Sequence, residues 1–151
     1  MNKASRPSSA SKARLRLWLR LLRAQRAMEA RVRERLREGH ETTLPRFDVM
    51  AALYRERAGM RMSALSGVLR VSNGNITGIV DRLAAEGAVE RVAVEGDRRA
   101  MTVRLTDAGA EAFEAMAAAH ETWIDELLDG VSAEEAEAIS ARLAEVAERI
   151  E

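Results

Sequence analysis

The chain has no cysteine, which excludes disulfides, thiolate metal sites and cysteine-based redox sensing. It has two histidines, His40 and His120, too few without cysteine to suggest a metal centre. No run of 18 apolar residues exists, so no membrane span is expected. Phosphate-binding glycine loops are missing, and no carboxylates pair in a plausible cleft. Neither histidine has a nucleophile partner in sequence, so no enzyme and no cofactor are expected. Few runs favour strands, and no internal repeat appears.

What is abundant is Ala, Leu, Arg and Glu, which favour helix. At 151 residues, one domain with one shared core is the default. Seven methionines read as gap-fillers of that core. Net charge is zero, yet it is divided sharply. Residues 1–104 hold 22 Lys and Arg against 11 Asp and Glu, and residues 105–151 hold 2 against 13. A basic body with an acidic tail suggests one surface for a polyanion and another facing solvent or a partner.

Residues 1–28 carry eight cations and no acid, as a transit peptide would. However, the apolar face of Leu15, Trp18, Leu19 and Leu22 continues through Val32 and Leu36, so the segment belongs to the folded body. Residues 1–10, rich in Ser, read as a disordered tail. The spacing predicts a helix over 11–38 with Gly39 as its stop. Thr43 is placed to cap a second helix, with Pro45 in its first turn and Gly59 as its end. A third helix is expected over 62–70, with Leu65, Val68 and Leu69 inward. A fourth begins at Ser72, flanked by Val71 and Ile76 as a hydrophobic staple, carries Ile76, Ile79, Val80 and Leu83 inward, and ends at Gly87.

Val89–Val94 and Met101–Leu105 alternate as strands joined by the loop EGDRRA. Thr106 or Asp107 opens a fifth helix to about Asp129. The last helix follows Ser132, whose spacing from Glu135 fits a capping box. The fold class is therefore mainly α with a small β-hairpin wing, α+β overall. In this winged helix-turn-helix, residues 44–105 form the DNA-binding region. Residues 11–43 and 106–151 supply long flanking helices.

Two elements point to DNA. The fourth helix presents Asn73, Asn75 and Thr77 near its start, with Asp81 and Arg82 a turn later. Short polar side chains there suit base edges in a major groove. Gly74 and Gly78 cost about 1 kcal/mol each in helix propensity, so a packing or contact gain is expected. In the hairpin loop, Arg98 and Arg99 cannot pack inward, and Arg suits narrow minor grooves. Asp97 would repel phosphate, so it is expected to hold an arginine in position.

The stretches LPRFDVMAAL, MSALSGVL, VSNGNITGIVDRLAAEGAVER and DRRAMTVRLTDAG resemble the MarR family of bacterial transcription regulators. The resemblance implies a cytoplasmic homodimer, joined through the dimerisation helices of residues 11–43 and 106–151, that acts as a repressor on a pseudopalindromic operator in double-stranded DNA. It places Ser72, Asn73, Asn75 and Thr77 in the major groove and Arg82 near phosphates. Asp97 then braces Arg99 in the minor groove, and Arg98 meets phosphate. It also implies a small aromatic or acidic effector, for which Trp18, Leu22, Phe47, Met50, Met116, His120 and Trp123 are candidate walls. Arg14 or Arg23 would meet a carboxylate. One departure is Arg61, where the family often has a Thr or Ser cap; Ser63 is the substitute. A second reading, of a different class, is a winged helix serving protein interaction or non-specific architectural DNA binding.

Overall fold

The computed structural model describes residues 8–69 and 72–151, without the side chains of Asn73 and Arg98. Val71, half of the expected staple, lies outside the described residues, as does most of the expected tail. Helix α1, Ser9–His40, starts two residues earlier than its spacing predicts, because the Ser8 hydroxyl accepts from the Ser11 N–H at 3.1 Å. Gly39 does not stop it. The chain turns at Glu41, which adopts the left-handed region at φ 48°.

Helix α2 is Leu44–Arg55, with Pro45 in its first turn and Thr43 at the cap position. The Thr43 hydroxyl makes no cap hydrogen bond. The helix ends before Gly59, whose role is different. At φ 102°, Gly59 lies against a strand, where a Cβ would sit 3.0 Å from the Val103 carbonyl oxygen. Strand β1, Met60–Arg61, follows at once and was not anticipated. It pairs Arg61 with Thr102, so Arg61 is a strand residue rather than a failed cap.

Helix α3 is Met62–Leu69 and holds Ser63 within it. Leu65 and Ser66 are buried, and Leu69 packs against the core. At about 100° per residue this face turns Val68 outward; Val68 is 58% exposed, contrary to expectation. Helix α4, Asn73–Ala85, is capped by Ser72 and buries Ile76, Val80 and Leu83. Gly87 follows at φ 75°.

Strands β2, Val89–Val94, and β3, Asp97–Leu105, complete an antiparallel sheet of order β1-β3-β2. The connection is shorter than the expected loop. Glu95 and Gly96 form the turn, with Gly96 at φ 82°, and Asp97, Arg98 and Arg99 already belong to β3. Register shifts between Ala93 and Val94.

Helix α5, Asp107–Leu127, begins at a tight junction. Thr106 accepts from the Gly109 N–H at 3.0 Å and donates its hydroxyl to the Gly87 carbonyl at 2.6 Å. Its own N–H donates to the Ala88 carbonyl at 3.1 Å. Gly109 is needed here, since a Cβ would lie 1.9 Å from the Ala88 oxygen. Helix α6, Ala133–Glu148, has the complete Ser132–Glu135 capping box. The Ser132 N–H holds the Glu135 carboxyl below the usual carboxylate range.

The core runs from Val32 and Leu36 of α1 through Phe47, Val49, Met50 and Leu53 of α2 to Phe113 and Met116 of α5. Helix α6 buries no residue; Ile139, Leu143 and Val146 are exposed along it, and Ile150 is exposed just past its end. Leu15, Leu17, Trp18 and Leu19 are also exposed on the first half of α1.

Gly109→Ala should destabilise the fold by about 1–3 kcal/mol through overpacking, lowering Tm by about 2–4 °C per kcal/mol for a chain of this size. Gly130→Ala is the comparison, because nothing lies within 4 Å of a Cβ there. Its Tm should stay unchanged or rise slightly. Thermal melts followed by circular dichroism check both.

Candidate nucleic-acid interface

The Ser72 hydroxyl first serves its own helix, accepting from the Asn75 N–H at 3.4 Å. This fixes the start of α4 and points its first turn outward, where an acceptor-rich groove edge would meet it. Asn75, Thr77, Asp81 and Arg82 are all exposed, as expected for an outer face. The side chain of Asn73 lies outside the described residues.

Two ion pairs hold α4 in place. Asp81 pairs with Arg91 of β2, and Glu86, just past the end of α4, pairs with Arg46 of α2. Arg82 has no ion-pair partner among the described residues and remains available to an outside anion. Gly74 and Gly78 have no atom within 4 Å of a Cβ position, so internal packing does not require them.

In the wing, the Asp97 carboxylate accepts from the Arg99 backbone N–H at 3.0 Å. The brace therefore acts on the main chain and leaves the exposed Arg99 guanidinium unrestrained by Asp97. The side chain of Arg98 lies outside the described residues. Below the tip, Arg104 pairs with Glu90 at 2.7 Å across the strands, which stiffens the hairpin.

The seven candidate effector residues do not share one pocket. Phe47 is buried between Phe113, with ring centroids 5.4 Å apart, and His120, at 5.0 Å. Trp123 packs on His40 at 5.8 Å, with the Arg35 guanidinium 5.9 Å from its ring centroid. Trp18 is 56% exposed on the free half of α1 and lines neither of the two cavities described next. Met50 and Met116 line a cavity of about 440 Å³ with His40, Arg46, Leu83 and Glu86. His120 lines a separate, mainly apolar cavity of about 480 Å³ with Met28, Val32, Leu44 and Leu143. Leu22, Arg14 and Arg23 line neither.

Helical spacing placed these side chains on inward faces, but it carried no information on which cavity each face meets. Arg46 and Glu86 were missed. The one usable signal was Arg46 itself, a cation between Pro45 and Phe47 in the first turn of α2. Partial burial raises the Asp48 carboxyl above its usual range, against the pull of Arg33. Among the described residues no three His, Asp or Glu are placed to hold a metal ion. No described helix is long and apolar enough to cross a membrane.

This arrangement has clear counterparts. Residues 42–101 match the MarR family. A stretch of 65 residues is 37% identical to the HTH-type transcriptional regulator PecS of Dickeya dadantii, covering 42% of this chain and 39% of that protein. The chain thus spans under half the length of this curated relative. Among solved structures, a MarR family transcriptional regulator from Silicibacter pomeroyi is 33% identical, with a TM-score of 0.79 over 95% of this chain and 99% of that one. A mutant of MarR from E. coli complexed with operator DNA is 26% identical, with a TM-score of 0.74 over 92% and 99%. The likeness extends beyond the winged module to the long flanking helices, and the chain belongs to the MarR family of DNA-binding transcription regulators.

Proposed function

We propose that the protein is a homodimeric repressor that binds a pseudopalindromic operator and is released by a small aromatic or acidic effector. The observation that carries the dimer is α6. It is a complete, capped helix with no buried residue, and its stripe of Ile139, Leu143 and Val146, continued by Ile150 just past its end, is exposed in the single chain. The exposed apolar half of α1 offers a second such stripe. Burial of both against a second copy gives the missing core.

Two-fold symmetry then presents two recognition helices and two wings to one duplex. In this reading Ser72, Asn73, Asn75 and Thr77 meet bases, and Arg82 and Arg98 meet phosphate. Arg99, positioned through Asp97, enters the minor groove. The complex of the E. coli relative with operator DNA supports this mode of binding. For the effector, the cavity at Met50 and Met116 is favoured. Its apolar walls fit an aromatic ring, and Arg46 and His40 suit an acidic group. Because Arg46 also pairs with Glu86 beyond α4, a ligand there competes for the contact that positions the recognition helix.

Selection from random DNA should return a two-fold-related motif with half-sites about one helical turn apart. Recovery of no motif would favour an architectural or protein-interaction module instead. On the selected duplex, Asn75→Ala should cost about 1–3 kcal/mol and change base preference, whereas Arg99→Ala should weaken binding and reduce its salt dependence. Leu143→Glu should convert the dimer to monomer in sedimentation experiments. An unchanged sedimentation coefficient would remove α6 from the interface.

A further inference from the structure

Recognition helix and wing leave one feature of this face unexplained. Gly74 and Gly78 lie one turn apart on the exposed side of α4, where helix propensity disfavours them. Neither is needed for packing, as a Cβ at either position meets nothing within 4 Å. Open space beside bare helix backbone is of use only to something that approaches from outside.

The space beside them is a notch of about 520 Å³. From α4 it is lined by Gly74, Asn75, Gly78 and Ile79. Three arginines from three helices line it: Arg33 of α1, Arg46 of α2 and Arg82 of α4. No carboxylate is among the lining residues. Arg33 is tied to Glu29 and Arg46 to Glu86, each carboxylate lying outside the notch lining. These pairs orient the guanidinium groups without filling the notch. Arg46 Nε is buried and has no hydrogen-bond partner among the described residues.

We propose that this notch is an oxyanion site that seats one backbone phosphate of the bound duplex. Arg33 thereby becomes a DNA contact supplied by the long first helix. The inference rests on α4 facing DNA, and it adds a contact from outside the winged module. The chemistry follows from the parts. A phosphodiester is a compact anion with oxygens that accept from guanidinium forks. The glycines let it come closer to the helix backbone than any side chain would allow. A contact of this kind fixes the register of α4 along the groove without reading sequence. A free phosphate or carboxylate presents the same oxyanion, and the two sources are separable by experiment.

The test uses the intact protein, a duplex recovered by selection, and fluorescence anisotropy over a range of salt. Arg33→Gln should weaken binding about tenfold, as loss of a charged hydrogen bond does, and lower the salt slope by about 0.9, the value of one phosphate. Gly78→Leu should fill the notch and weaken binding comparably, while its Tm is unchanged or higher than wild type. Replacing single phosphates by neutral methylphosphonates should reveal one position per half-site that weakens wild type but not Arg33→Gln. If both variants bind like wild type while Arg99→Ala is still impaired, the notch holds no phosphate and the regulator reading stands. If wild type itself prefers no site, the underlying reading fails. If inorganic phosphate raises the Tm of wild type but not of Arg33→Gln, with duplex binding equal in both, the occupant is a free anion and the duplex assignment is overturned.

Discussion

The junction at Thr106 is the contact on which the arrangement of the winged module depends. One side chain caps α5, reaches back to Gly87 after the recognition helix, and stands at the end of β3. Gly109 allows the helix backbone to rest against the Ala88 carbonyl. The recognition helix, both strands of the wing and the long helix α5 are thereby joined within a few residues. Close-packed contacts of this kind pass displacement on rather than absorb it.

Charge is used for placement more than for stability. Most of the ion pairs are substantially exposed, and such pairs contribute about 0–1 kcal/mol each. Their positions are informative nonetheless. Asp81–Arg91 ties α4 to the sheet, and Arg46–Glu86 ties the residue after α4 to α2. Both leave the outer face clear. The cations of residues 9–28, Lys12, Arg14, Arg16, Arg20, Arg23 and Arg26, face no acid in their own segment. The acidic residues 105–151 balance them on the scale of the whole chain, but no ion pair joins these six to that region among the described residues.

Elements set by neighbouring residues were legible in the sequence. The Ser132–Glu135 box, the Ser72 cap and the inward stripe Ile76, Val80 and Leu83 follow from hydrogen bonds and periodicity within a few residues. Strand β1 was not legible, because two residues carry no period and Arg61 acquires its role only by pairing with Thr102. Val68 was misplaced because an eight-residue helix leaves the centre of its inner face undetermined until Leu65 and Ser66 find their neighbours. The effector candidates dispersed for a similar reason. Phe47, Trp18 and Trp123 each lie on a helical apolar face, yet those faces meet different partners.

The glycines show the division most directly. Sequence alone determined that helices run through Gly74, Gly78 and Gly109, since periodicity and caps on either side outweigh a local cost of about 1 kcal/mol each. It also determined the winged order of elements, which depends on local signals in succession. Only the tertiary structure decided what each glycine does. Gly109 meets a carbonyl from a residue 21 positions earlier, whereas Gly74 and Gly78 face open space between arginines of three helices. The physical reason is that a missing side chain has no pattern of its own. Its meaning is the identity of whatever occupies the volume, and that is set by chain segments far apart in sequence.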